Sequence, residues 1–217
     1  ELGVETGQRS ISIEHVVLVG TANGGAIRSF LMLDRGRSYI PGIGRHNHPE
    51  SAFTMASLYQ DLPIYRADLF LDLEGRPLEV DLMDPHNWVK YGWSIFGDKS
   101  RSRVEASGRK DLFADEAARL IFLERTLGRA RRLHQVLKAD SRSFLATAYH
   151  SIQSKESETL ERAVLARTDN GWSTYFHGDE ELEGEEPVVR MLSSSGDGHG
   201  TQESQDWLSA QETALLA

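Results

Sequence analysis

A run of four apolar residues that ends in a glycine-rich loop constrains the fold of this chain more than any other stretch. Residues 16–19 (VVLV) include three β-branched side chains, and residues 20–25 (GTANGG) follow at once. Such a run predicts a strand buried on both faces, as in a parallel sheet. Glycine allows tight turns and close backbone approaches, so residues 20–25 predict a loop at the carboxyl end of that strand. Ligands bind at such strand ends in open α/β sheets, which makes this 20–25 loop a candidate site.

The composition bounds the class of protein. At 217 residues, the chain is long enough for one domain with a sizeable core. The net charge of −9 argues against a nucleic-acid partner, because phosphate binding requires a basic face. With no cysteine, the chain has neither disulfides nor a thiol nucleophile. No apolar run approaches the length of a membrane span, so we expect no transmembrane segment. Because residue 1 is Glu, we expect the numbering to begin inside a longer product or after a processing site.

Two β-hairpins are predicted by alternating apolar and polar residues on either side of turn sequences. Segments 69–73 and 78–82 flank Glu-Gly-Arg-Pro, in which Gly75 occupies the turn. Segments 163–167 and 172–176 flank Thr-Asp-Asn-Gly, and Asn-Gly suits turns whose residues have positive φ.

The remaining elements are predicted from periodicity and composition. Apolar residues at helical spacing predict a long helix from a cap at Asp111 to about Lys138, with Ile121, Leu127 and Ala130 on its apolar stripe. Residues 144–152 (FLATAYHSI) predict a second core strand, whereas the polar residues 97–110 predict a linker.

Asp197 is the acidic residue with the most promising surroundings. It lies between Gly196 and Gly198, soon after the apolar residues 187–192, so a strand could deliver its carboxylate to a loop. An orienting carboxylate sits in such a position in a Ser–Asp–His hydrolase, where it accepts the imidazole Nδ1–H and holds the productive tautomer. An Asp-Gly turn explains the same residues, and both interpretations stay open. His199 is too close in sequence to be the histidine that Asp197 orients.

Two other groups of residues invite a functional interpretation. His46 and His48 with Glu50 are ligands that zinc or iron accepts, although exposed histidines are common in loops rich in glycine and proline. Trp88 and Trp93 could line an acyl pocket or pack in the core. We predict neither a resident metal nor a cofactor.

Four segments, taken in order, resemble one family. Residues 16–25 (VVLVGTANGG) are similar to the apolar strand and Gly-Thr-Pro-Asn-Gly-Gly loop of lecithin:cholesterol acyltransferase-like α/β-hydrolases. Residues 51–63 resemble its segment ending in Tyr-Gln-Leu-Leu-Pro, and residues 84–93 (DPHNWVKYGW) resemble its Asp-Pro…Trp…Gly-Trp stretch. Residues 196–198 (GDG) fall where the family has Gly-Asp-Gly-Thr-Val-Pro, whose Asp is the triad acid. Ala22 stands where the family has proline.

The resemblance implies an α/β fold, namely a partial α/β-hydrolase with parallel core strands. Residues 1–25 and 141–217 would belong to the core, and residues 26–140 would form an inserted cap of helices and hairpins. The implied function is that of a serine esterase, lipase or acyltransferase acting on an ester, in particular a lipid ester, with Asp197 as the orienting acid. The rest of the core is expected from chain outside these residues, and it should cover the exposed side of residues 16–19.

The nucleophile of this fold sits in a Gly-x-Ser-x-Gly elbow, and no such sequence occurs here. We therefore expect the serine and the histidine outside these residues, and we expect the chain alone to be inactive. One alternative is an interaction module that kept the scaffold and lost the triad. Another is a metal-dependent hydrolase that uses His46, His48 and Glu50.

Overall fold

The computed structural model describes residues 13–36, 48–108, 115–138 and 148–207. The strands in chain order are β1 (His15–Val19), β2 (Phe70–Leu71), β3 (Pro77–Leu78), β4 (Ala148–Ile152), β5 (Ser157–Leu160), β6 (Ala163–Thr168), β7 (Gly171–Tyr175) and β8 (Ser193–Gly196). The α-helices are α1 (Ile27–Arg35), α2 (Pro49–Phe53), α3 (Ala56–Gln60), α4 (Pro85–Lys90), α5 (Asp98–Ala106), α6 (Glu116–Lys138) and α7 (Glu186–Val189). The protein is a mixed α/β structure. None of the helices in the described ranges is long and apolar enough to cross a membrane.

The parallel pairing of β1 with β4 confirms the predicted direction of these two strands. Val19 lies opposite Ile152, and the Gly20 N–H then donates to the Ile152 carbonyl at 2.8 Å. Residues 144–147, the first part of the predicted second strand, lie outside the described residues. Parallel pairing is the arrangement that an α/β fold requires of its core strands.

The burial predicted for residues 16–19 is wrong in the described part of the chain. Val17 is 55% exposed, Val19 is 65% exposed and the neighbouring Ile152 is 57% exposed. The sheet contains two strands, and no layer of described residues covers the face that carries these side chains. The apolar side chains of residues 16–19 therefore have the composition of a buried strand, but one face of the β1–β4 sheet is exposed among the described residues.

The second sheet brings together segments that are distant in sequence, in the order β3-β2-β6-β7. Both predicted hairpins are confirmed, because β2–β3 and β6–β7 are antiparallel pairs. Gly75 in the first turn and Gly171, which begins β7 directly after the second turn, take φ values of 78° and 112°, which glycine adopts readily. β2 also pairs parallel with β6, with Phe70 opposite Ala163. This sheet draws strands from both the predicted cap and the predicted core, and the boundary between them stays a prediction.

An aromatic cluster forms the centre of the core above this sheet. The Phe30 ring lies edge-on to Trp93 and Trp88, with centroids 4.8 and 6.0 Å apart. Trp88 and Trp93 are 0% and 1% exposed, and their indole N–H groups donate to the Leu82 carbonyl and to Thr174 Oγ1 at 2.8 Å each. Buried indoles need such acceptors. Of the two interpretations of these tryptophans, the packed core is confirmed.

The helix predicted to end near Lys138 is confirmed as α6, but part of its predicted stripe is wrong. Leu127 is 1% exposed, as expected, whereas Ile121 is 47% exposed. Ala130, also on the predicted stripe, is fully buried as expected, and so is Leu123, which was not on that stripe. The packing of α6 against α3 and α4 selects which side of the helix is covered, and the periodicity of α6 alone did not specify it.

Two segments form other elements than the sequence predicts. The predicted linker 97–110 contains the helix α5. Only Ser100 and Val104 are buried in α5, so the sequence has no apolar stripe from which this helix could be predicted. Residues 187–192 contribute to the short helix α7 rather than to a strand. The strand that precedes Asp197 is β8, a run of serines that is extended because it pairs antiparallel with β5.

Candidate functional site

Asp197 follows β8 directly and is held in a tight loop. Its Oδ1 accepts hydrogen bonds from the backbone N–H groups of His199 (2.8 Å) and Gly200 (2.9 Å). Gly198 has a φ of 88°, and a Cβ at Gly196 would lie 2.4 Å from the Gly200 carbonyl oxygen. The glycines therefore permit the turn, and the two hydrogen bonds fix the direction of the carboxylate.

The second oxygen of Asp197 faces the 20–25 loop. A Cβ at Gly20 would lie 3.4 Å from Asp197 Oδ2, and a Cβ at Gly200 would lie 2.6 Å from the Ala22 Cβ. The loop after β8 thus packs on the loop after β1. Asp197 thus lies near the carboxyl end of β1, although β8, the strand that precedes it, pairs with β5 and is not part of the β1–β4 sheet.

The far end of the 20–25 loop is clamped between two other segments. Gly24 N–H donates to the Ser204 carbonyl at 3.0 Å, and the buried Ser204 hydroxyl donates to the Gly25 carbonyl at 2.6 Å. On the other side, a Cβ at Gly25 would lie 2.4 Å from the Leu62 carbonyl oxygen. The glycines of this loop therefore serve close backbone packing as well as turning.

His199 directs its imidazole to Asp61, which the sequence did not indicate. His199 Nε2 lies 3.2 Å from Asp61 Oδ2, and the buried Ser29 hydroxyl donates to the same oxygen at 2.5 Å. The hydrogen bond to Asp61 raises the pKa of His199, with the Asp197 charge acting in the same direction. The backbone nearby is fixed by Arg28, whose Nη1 donates to the Gly198 carbonyl at 2.8 Å.

Ser29, Asp61 and His199 do not form a serine triad, because the carboxylate of Asp61 lies between the Ser29 hydroxyl and the His199 imidazole. A triad needs the imidazole in the middle, so that it can take the serine proton. The half-exposed imidazole of His199, oriented by Asp61, is nevertheless arranged to donate or accept a proton beside Asp197.

The raised pKa of His199 makes stability depend on pH in a defined direction. A histidine whose pKa is raised on folding stabilises the protein below its ordinary pKa of 6.5, and that contribution is lost as the pH rises through the folded value. Because the side chain is 50% exposed, we expect at most about 1 kcal/mol. Urea unfolding at several pH values should show this loss in the wild type and not in His199→Gln. An equal pH dependence in the wild type and His199→Gln, or a dependence that is undiminished in Asp61→Asn, would contradict the assignment.

A serine and a histidine are in direct contact elsewhere in the described residues. His177 Nδ1 lies 2.8 Å from Ser193 Oγ and 3.2 Å from Glu158 Oε1. The same nitrogen makes both contacts, so the imidazole cannot relay a proton from the serine to the carboxylate side as in a triad. Ser193 also opens β8, four residues before Asp197, which places the two about 13 Å apart along the strand.

An ion-pair network lies behind the same loops, and its members are too scattered in the sequence to have been predicted together. Arg66 Nη1 lies 2.7 Å from Glu161 Oε1, and Arg66 Nε lies 2.8 Å from Asp68 Oδ1. Arg162 joins both carboxylates, at 2.5 Å from Glu161 and 2.9 Å from Asp68. Burial raises the pKa of Glu161, and the Arg66 charge opposes that rise. The network connects the residues before β6 to the chain before β2, and Arg66 also lies 3.5 Å from the exposed Glu203, in the segment that follows the Asp197 loop.

The metal alternative finds no support in the described part of the chain. Glu50 accepts a hydrogen bond from Arg103 Nε at 2.9 Å, so its carboxylate is already engaged. The described ranges contain no group of three or more histidine, cysteine or acidic side chains that could hold a metal ion. His46 lies outside these ranges and His48 precedes α2, so a site that uses both stays a prediction.

Two sizeable cavities lie among the described residues, and Asp197 lines neither of them. One, of about 440 Å³, lies beside Ser94, and the other, of about 700 Å³, lies beside Tyr65 and Leu82. The Asp197 loop is therefore a surface arrangement in the described chain rather than the floor of either cavity.

The protein has no match among known families: no family model, no curated protein and no solved structure matches the chain. Its function is therefore inferred from its own residues and their geometry.

Proposed function

We propose that this chain is part of a serine esterase, lipase or acyltransferase with an α/β-hydrolase core, in which Asp197 is the orienting acid. The observation that supports this most directly is the proximity of Asp197 Oδ2 to Gly20, at the carboxyl end of β1, where an added Cβ would lie 3.4 Å from that oxygen. Active sites of open α/β sheets are assembled from the loops at that edge. The parallel pairing of β1 with β4 agrees with such a core.

Asp197 is well arranged for the proposed role. Its Oδ1 is held by the backbone N–H groups of His199 and Gly200, so the carboxylate cannot rotate without breaking both bonds. Its Oδ2 would accept the Nδ1–H of a histidine, leaving Nε2 to take the proton of the serine hydroxyl. The serine oxygen would then attack the acyl carbonyl and release the alcohol, and water or a second alcohol would remove the acyl group. In this proposal the serine and that histidine come from outside residues 1–217.

A second candidate function is an interaction module with the same scaffold and no triad. The observation that favours it is the open apolar face of the β1–β4 sheet, which carries Val17, Val19 and Ile152. His15 and His150 stack at the same pair of strands, with ring centroids 5.3 Å apart. Exposed contiguous apolar surface indicates a contact with other protein or with missing core.

A fluorophosphonate probe distinguishes the two candidates, because it reacts only with an activated serine. The complete gene product should be labelled and should hydrolyse p-nitrophenyl esters, whereas residues 1–217 alone should do neither. The labelled peptide should contain a Gly-x-Ser-x-Gly elbow upstream of residue 1. A complete gene product that is folded but unlabelled and inactive on short-chain and long-chain esters would favour the interaction module.

A further inference from the structure

The long helix α6 has one side that packs in the core and one side that faces solvent. The packed side carries Leu123, Leu127 and Ala130, all of them buried. With about 3.6 residues per turn, five residues fall on a stripe along the opposite side, namely Ile121, Arg125, Arg129, Arg132 and Val136. All five are exposed, and a Cβ at the neighbouring Gly128 would meet nothing within 4 Å. This stripe, the α6 stripe, is therefore open to a partner.

Three arginines give the α6 stripe a positive charge that the described chain does not neutralise. Arg125, Arg129 and Arg132 form no ion pair with any residue of the described ranges. The two acidic residues of the helix, Glu116 and Glu124, lie off the stripe by helical spacing. Like charges three or four positions apart destabilise a helix, so these arginines repel one another. An anionic partner would remove that repulsion.

The α6 stripe begins and ends with exposed aliphatic side chains. Ile121 is 47% exposed and Val136 is 70% exposed. They lie about 22 Å apart along the helix axis, with the three arginines between them. Helices that bind at a membrane interface combine basic residues, which meet anionic headgroups, with apolar side chains that enter the boundary of the acyl chains.

This combination distinguishes between anionic partners. A nucleic-acid backbone offers phosphates to the arginines but no apolar layer to Ile121 and Val136. A globular acidic protein would need apolar sites at the same separation of about 22 Å. An anionic phospholipid surface is flat and continuous, and it provides phosphates and an apolar layer along the whole stripe. The negative charges elsewhere on the chain are screened beyond about 8 Å at physiological ionic strength.

We propose that α6 docks on the surface of an anionic phospholipid membrane, with its three arginines at the lipid phosphates and its two aliphatic side chains in the acyl boundary. The helix would lie parallel to the membrane plane while its packed side stays in the core, so the association is peripheral. This inference goes beyond the proposed ester chemistry, because it requires neither a serine nor turnover.

Co-sedimentation of the full chain with large unilamellar vesicles tests the proposal. The chain should bind vesicles that contain phosphatidylglycerol beside phosphatidylcholine, and it should not bind vesicles of phosphatidylcholine alone. Binding should weaken as the salt concentration rises above about 0.1 M, because salt screens the arginines from the lipid phosphates. Replacing Arg125, Arg129 and Arg132 together with glutamine should lower the partition coefficient on the order of 100-fold, about fivefold for each charge.

A matched variant controls for the change in net charge. Arg101→Gln, Lys155→Gln and Arg167→Gln together remove the same charge from exposed positions outside α6, and they should leave partitioning unchanged. Ile121→Gln with Val136→Gln keeps every charge and should weaken partitioning about tenfold, because less apolar surface is buried in the membrane. Circular dichroism should show the same fold in each variant, since every replaced side chain is exposed.

Several results would overturn the proposal. One is the absence of binding to either kind of vesicle, and another is equal binding to both. Equal partitioning of the wild type and the variant without the three stripe arginines would also overturn it. Double-stranded RNA and polyglutamate are the comparison polyanions. Binding to one of them, with no binding to vesicles, would assign the α6 stripe to a different class of partner.

Discussion

Under the proposed ester chemistry, replacing Asp197 with asparagine should lower turnover by the complete gene product on the order of 10⁴-fold, the loss recorded for the same exchange in a serine-protease triad. Asparagine can still accept the N–H groups of His199 and Gly200 through its carbonyl oxygen, so the loop should stay folded. Its amide group would donate where the carboxylate accepts, and a histidine facing it would be held in the wrong tautomer. Steady-state kinetics should show the loss in kcat with little change in KM, because the acid acts only in the chemical steps.

Two further exchanges make this result specific. Asp169→Asn alters an exposed turn residue between β6 and β7 and should leave turnover unchanged. Asp61→Asn distinguishes the role of Asp197 from that of Asp61, the acid that contacts His199. If the Asp61–His199 pair carried the chemistry, Asp61→Asn and not Asp197→Asn would lose activity. A turn role for Asp197 would produce the reverse of the prediction, with unchanged kcat and a small change in the free energy of unfolding.

Replacing Gly25 with alanine should have the largest effect on stability, about 3 kcal/mol or more. Gly25 has a φ of 81°, and its Cβ would lie 2.4 Å from the Leu62 carbonyl oxygen and 2.7 Å from the Leu62 carbonyl carbon. Both contacts are with backbone, which cannot rotate away as a flexible side chain can. The clash adds to the cost of positive φ, and it would push the 20–25 loop away from the segment that clamps it.

Gly178→Ala is the matched control for Gly25→Ala. Gly178 has a similar φ of 92°, but a Cβ there meets nothing within 4 Å. It should cost about 1 kcal/mol, the backbone effect alone. Urea unfolding of the two variants at the same pH, with unchanged m values, measures the difference. Equal losses would mean that the contact with Leu62 is not the reason for glycine at position 25.

The elements that were predicted correctly are those specified by neighbouring residues. Gly75 and the Asn170-Gly171 pair define hairpin turns locally, and the strands beside them pair as expected. The helix ending at Lys138 follows from its own periodicity. Turn chemistry and helical spacing act over a few residues, so they can be derived without knowing what the rest of the chain contacts.

The elements that were missed depend on partners elsewhere in the chain. The serines of β8 are extended because β5 lies beside them, and the polar helix α5 offers no apolar stripe to detect. The exposure of Val17 and Val19 depends on what covers β1, which an apolar run cannot specify.

For the candidate site, the sequence itself determined the glycines that allow two tight loops and the carboxylate that one of them carries. Only the tertiary structure decided that Asp197 faces Gly20, that His199 turns to Asp61, and which side of α6 is exposed. Backbone permissiveness is a property of each residue, whereas the direction of a side chain depends on contacts between segments far apart in the chain, which exist only once the whole fold has formed.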